Sequence, residues 1–143
     1  MTQIIKVTEP LLQVVQLRDQ PTMIVQVAPV QINNSGVSAK QASLPFSYGD
    51  VTTQTIYAAI AGQRITRVDI GFDIAFNVTS SLKVGDGANI QRLMDTGQNN
   101  PSRGGIWTST PFYKYSSNTN ILLTLSAGIG CTQGSGVVII YYE

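Results

Sequence analysis

The sequence predicts an all-β protein: an antiparallel, jelly-roll-like β-sandwich body preceded by an extended N-terminal arm. Three observations lead there. Residues 64–76, RITRVDIGFDIAF, alternate with period two, placing Val68, Ile70, Phe72, Ile74 and Phe76 on one face. Arg67, Asp69, Gly71, Asp73 and Ala75 fall on the other face, the pattern of a half-buried strand. Further short apolar runs recur at about 8–12-residue spacing between Gly and Asn turns, and almost nothing repeats with a helical period.

The other body elements follow in order. Residues 54–60, QTIYAAI, end at Ala61-Gly62 and read as the first strand of the sandwich. After the 64–76 strand, residues 77–81 form a turn, and Leu82-Lys83-Val84 is a short strand closed by Gly85-Asp86-Gly87. Residues 87–94, GANIQRLM, are the one stretch suited to a helix, of about two turns. Residues 95–111, DTGQNNPSRGGIWTSTP, read as a long turn-rich loop, the kind that carries function or packs a partner. Residues 121–125 are a strand between Asn and Gly turns. Residues 136–142, GVVIIYY, are apolar on both faces, which suits a central strand or one covered at an interface.

The first third has another character. Residues 1–32 hold the apolar runs IIKV, LLQVVQL and MIVQVAPVQI, broken at Glu9-Pro10 and Asp19-Gln20-Pro21, without hairpin-quality turns. They read as an extended arm. Residues 33–45, NNSGVSAKQASLP, read as a polar linker, leaving 46–143 as the body.

Composition excludes several classes. The 143 residues carry a net charge of +1 with scattered basic positions, so no phosphate-collecting patch is expected and no nucleic acid partner. Charged residues are only 12% of the chain, about half the usual share. A surface built from Gln, Asn, Ser and Thr tends to associate. No run approaches a membrane span, and the start lacks the basic and apolar regions of a secretory signal. The expectation is synthesis in a cytoplasm, with no membrane partner. Histidine is absent, which removes the usual general base and the commonest metal ligand.

Candidate sites fare poorly as chemistry. Asp86 between two glycines has one reading as a calcium loop, but such loops want several carboxylates. An Asp bonding its own backbone in a tight turn explains it better. Asp69 and Asp73 share a strand face at ~13 Å, too far for a glycosidic pair. Asp69 with Arg67 reads as a solvated face, with cross-strand salt bridges. Cys131 has no histidine to activate it and reads as a small buried hydrophobe. The glycines at 128–130 and 134–136 lack a phosphate-loop ending and read as turns. Trp107, Phe112, Tyr113 and Tyr115 cluster in and after the long loop. They suit a core plug or interface anchor more than a sugar platform. No catalytic residue, metal site or cofactor is expected.

The pattern Ile56-Tyr57, Ala61-Gly62, Ile65, Val68-Asp69-Ile70, Phe76, Leu82-Lys83-Val84-Gly85-Asp86 and Arg92-Leu93-Met94 resembles β-sandwich bodies of tailed-bacteriophage virion proteins. The end of the chain, Ile121 to Leu125 followed by a Gly-rich turn and residues 136–142, fits the same resemblance. Such bodies occur in capsid decoration (cement) proteins, head fibres and tail-fibre modules. The segment Ile4-Ile5-Lys6-Val7-Thr8-Glu9-Pro10 with Val14-Val15 is similar to virion-anchoring arms. The collagen-like Gly-Pro-Pro tracts that often follow such arms in fibres are missing, which favours decoration over a long fibre. The resemblance implies a non-enzymatic virion protein, commonly a homotrimer, on the capsid or tail.

Two functions are expected on these grounds. In the first, the chain cements a shell by binding the major capsid protein or another virion protein through its arm. Ile4, Ile5, Val7, Leu11, Leu12, Val14, Val15 and Leu17 would be buried on the partner, aided by strand addition. In the second, a head- or tail-fibre adhesin binds a host-surface glycan through the loop bearing Trp107, Phe112, Tyr113 and Tyr115.

Overall fold

The computed structural model describes the backbone of residues 3–6 and 14–17 and all of residues 40–143. The chain divides into two compact units, Met1–Gly36 and Val37–Glu143. In the first unit β1 (Gln3–Lys6) pairs antiparallel with β2 (Val14–Leu17), Gln3 opposite Leu17 and Lys6 opposite Val14. Two segments read from sequence as parts of an extended arm thus pair with each other. The side chains of Ile4, Ile5, Val7, Leu11, Leu12, Val14, Val15 and Leu17 lie outside the described residues.

The second unit is the antiparallel sandwich. One sheet runs β3 (Lys40–Ser47), β10 (Ser135–Tyr142), β5 (Arg64–Ile74), β7 (Gly105–Ser109), with the short β8 (Tyr113–Lys114) also on β5. The other runs β4 (Thr53–Ala59), β9 (Thr119–Ser126), β6 (Ser81–Gly85). An isolated bridge from Val84 to Met94 stands where a further strand would extend that second sheet. Two antiparallel sheets of five and three strands connected in this order are a jelly roll. The doubly apolar run expected at 136–142 is the central strand β10, between β3 and β5.

Two bulges in β5 set which of its side chains enter the core. Ile65 and Val68 are both fully buried although three residues apart, which strict alternation forbids. Arg67 opposes Tyr141 and Ile65 opposes Tyr142, so Thr66 is the extra residue that resets the phase. A second shift, at Asp73, puts Ile74 opposite Ser135 instead of on the inner face. Ile74 is 51% exposed, against the expectation that it joins Phe72 and Phe76 inside. Phe76 does reach the core, where it stacks on Phe46 and meets Phe72 edge-on.

Three further expectations are corrected. Residues 40–45, expected in the linker, belong to β3, so β3 and not the 54–60 segment opens the sandwich. Ala42, Leu44 and Phe46 turn inward there, and Pro45 is tolerated because β3 is an edge strand. Residues 87–94 form no helix. Asp86 captures the Ala88 and Asn89 N–H groups, and Asn89 captures that of Gln91, a local bonding scheme that competes with helix formation. Finally, the stretch 95–111 is not one loop. It holds a capped 3-10 turn at Thr96–Gln98 and then β7, whose Ile106, Trp107 and Thr108 suit a strand.

Candidate functional site: a polar cleft at one end of the sandwich

At the end of the sandwich where β6 finishes, the chain makes a tight turn. A Cβ on Gly85 would fall onto the Asn89 carbonyl and the Ile90 backbone, so only glycine allows this close return. The Asp86 N–H donates to the Asn89 carbonyl. Asp86 Oδ1 accepts the N–H groups of Ala88 and Asn89, both at 2.9 Å. This is the Asx turn expected from sequence, but Asp86 does more. Its Oδ2 accepts Arg92 Nε–H at 2.6 Å and the Tyr115 hydroxyl at 3.0 Å.

Asp86 is 2% exposed, and a buried carboxylate is tolerated only when its oxygens are fully bonded. Burial pushes its carboxyl up. The N–H of Asn89, the Arg92 guanidinium, the Tyr115 hydroxyl and the N–H of Ala88 outweigh that and hold it below the usual carboxylate range. Tyr115 moves the other way: burial first, then donation to Asp86, raises its phenol well above the ordinary value. Tyr115 is locked in place by backbone bonds to both sides, its N–H to Gln63 and its carbonyl to Gly62 N–H. Arg92 lies over the Tyr113 ring at 4.7 Å, and Tyr113 meets Tyr115 edge-on at 4.9 Å.

These groups border an open cleft of about 480 Å³ whose far wall is Ser116, Ser117, Thr119 and Asn120. Its chemistry is recognition by hydrogen bonds and one cation. Among the described residues no cluster of three potential metal-ligating side chains occurs. No helix there is long and apolar enough to cross a membrane.

The four aromatics singled out in the sequence do not form one platform. Tyr113 and Tyr115 join the cleft. Trp107 sits opposite Ile70 on β7, whereas Tyr113 sits opposite Ile65, a separation of about 16 Å along β5. Trp107 donates its Nε1–H to the Gly104 carbonyl at 2.8 Å and is half-buried. Phe112 is 64% exposed at a positive φ of 48°. The sequence reading missed Arg92 as a partner of Asp86; their six-residue spacing matches no periodicity, and only the turn geometry brings them together.

The remaining candidates are structural. Asp69 accepts Arg67 at 2.8 Å along its own strand, and Thr108 Oγ1–H from the neighbouring strand, so the ion pair is not cross-strand. Arg67 also covers the Tyr141 ring at 4.0 Å. Cys131 is half-buried instead of buried, and its thiol donates to the Gln133 carbonyl. The glycines near it are turn residues, Gly130 at φ 81° and Gly134 at φ 143°.

No protein family and no curated protein matches the sequence. Solved structures do share the fold. A chain in the acidic stable capsid of Helicobacter pylori bacteriophage KHP30 matches with a TM-score of 0.59 at 16% identity. The match covers 73% of this chain and 86% of that one. A chain in the capsid asymmetric unit of cyanophage Pam1 matches with a TM-score of 0.56 at 17% identity, covering 73% and 84%. This jelly-roll body is therefore similar in fold to chains found in the capsids of two bacteriophages.

Proposed function

We propose that this chain is a structural protein of a bacteriophage virion, and within the virion a capsid decoration (cement) protein. The observation that carries the reading is the fold likeness to chains in two phage capsids. Both matched chains are shorter than this one, since the same 73% of it spans 86% and 84% of them. Chains of this small size suit an accessory role on a shell. The low charge of the sequence supports a surface that neighbours cover. A jelly roll whose cleft offers hydrogen bonds, with no cluster of three potential metal-ligating side chains among the described residues, supports a binding role over an enzymatic one.

In this reading residues 1–32 attach the body to the major capsid protein or another virion protein. Extended apolar segments would bury aliphatic side chains and add main-chain hydrogen bonds to the partner. A homo-oligomer, a trimer on the resemblance, would multiply each arm's gain through avidity. The test uses purified capsids lacking the protein. The full chain is expected to sediment with them, and a variant lacking residues 1–32 is expected to stay in the supernatant with its β circular-dichroism signal intact. Sedimentation of the truncated body removes the arm mechanism. Failure of the full chain to bind removes the decoration role.

A further inference from the structure

Arg92 is fixed on one side and open on the other. Its Nε edge is held by Asp86 at 2.6 Å and its guanidinium face rests on Tyr113. Asp86 cannot swing away, because two backbone N–H groups and Tyr115 hold it. The backbone beneath Arg92 is equally fixed: the Leu93 and Met94 N–H groups both donate to the Val84 carbonyl, and Val84 N–H donates to the Met94 carbonyl. Among the described residues the Nη groups of Arg92 find no hydrogen-bond acceptor, and Arg92 lines the cleft. A guanidinium held this way is a preorganised fork for a planar anion.

We propose that this cleft binds a sugar carboxylate, a uronate or similar acid, free or at the end of a polysaccharide. The Nη edge of Arg92 takes the carboxylate, and Ser116, Ser117 and Asn120 take ring hydroxyls. Two observations select this class. A single cation already paired with a buried carboxylate suits a planar monoanion; a phosphate dianion would want further positive charge. The cleft is about 480 Å³ with a wall of hydroxyl and amide groups, so one Asp or Glu side chain from a protein partner would leave most of it to water. This inference goes beyond the attachment role and does not rest on it.

The test is an amide-detected NMR titration of the full chain with D-glucuronate, D-glucose and a neutral-ended glutamyl peptide. At ~10 mM, a concentration suited to weak single-sugar sites, glucuronate is expected to shift the amide signals of Ser116, Ser117 and Asn120. Glucose and the peptide are expected to leave them in place. Arg92→Lys keeps the charge but loses the fork, and weakens glucuronate binding about tenfold. Ser117→Trp, at an exposed position, fills the cleft while leaving every residue of the Asp86 network unchanged, and abolishes the shifts. It decides the matter should Arg92→Lys impair folding. The proposal is overturned by absence of glucuronate shifts, by equal response to glucose, by tighter binding of the peptide, or by undiminished binding in Ser117→Trp. None of these outcomes bears on capsid sedimentation.

Discussion

The two ends of the sandwich are held by different chemistry. At one end Asp86, Arg92, Tyr113 and Tyr115 converge on a buried carboxylate, and polar side chains such as Gln63 and Asn118 tie the neighbouring turns. At the other end the loops after β3, β5 and β9 are stitched mainly by neutral bonds. Tyr48 N–H donates to the Gly134 carbonyl, and the Asn77 amide exchanges two bonds with Thr132. Large apolar side chains turn outward at both ends, Val51, Ile74 and Ile129 at this one and Ile60 and Phe112 at the other. One end therefore depends on a charged centre that must stay complete. The other depends on close backbone approach at Gly128 and Gly134.

Breaking the charged centre should cost most. Asp86→Ala strips four donors of their acceptor and leaves the Arg92 charge without its partner. A loss of about 3–5 kcal/mol in denaturant unfolding is expected, as for other broken buried pairs. Asp86→Asn keeps the shape but not the charge and should cost about 1.5–3 kcal/mol at pH 7, the range for hydrogen bonds to charged groups. The same pair of proteins reports the ionisation. The folded state holds the Asp86 proton more weakly than the unfolded chain does. Its stabilisation is thus present above the ordinary carboxylate value, about 4, and is lost as pH falls through the lower folded value. Melting temperatures of wild type and Asp86→Asn should begin to converge as pH falls below about 4 and meet only below the lower folded value of Asp86; a gap that stays constant on acidification would mean the charge is not the source.

The opposite end should respond to volume and not to pH. A Cβ on Gly134 would lie 2.5 Å from the Phe76 ring, at a φ of 143° that side chains rarely adopt. Gly134→Ala is expected to cost about 1–3 kcal/mol, typical of overpacking, with no change in the cost between pH 7 and pH 4. Ile129→Ser should do least, within about 0.5 kcal/mol, because the side chain touches solvent only. A large loss there would show that the apolar tips are packed in solution.

Much of the body was legible because its signals are local. The alternation at 68–72, the run at 121–125 and the doubly apolar run at 136–142 each became a strand with the expected faces. Ile74 broke the pattern because the bulge at Asp73 belongs to the pairing with β10, not to β5 alone. Residues 40–45 hid because Ser, Gln and Pro dilute a three-residue inward face on an edge strand. At the cleft, the Gly85-Asp86-Gly87 turn was visible and its partners were not.

The sequence by itself determined an all-β body, the Asx turn at Asp86, and a low-charge surface without histidine chemistry. Only the tertiary structure decided that Tyr115, 29 residues away, would meet Asp86 beside Arg92. It alone decided too that Trp107 would stand apart from Tyr113. Period and turn chemistry act over a few residues and are written in order along the chain. Which side chains converge depends on strand register and on two inserted residues, Thr66 and Asp73, whose effect exists only once the strands have paired.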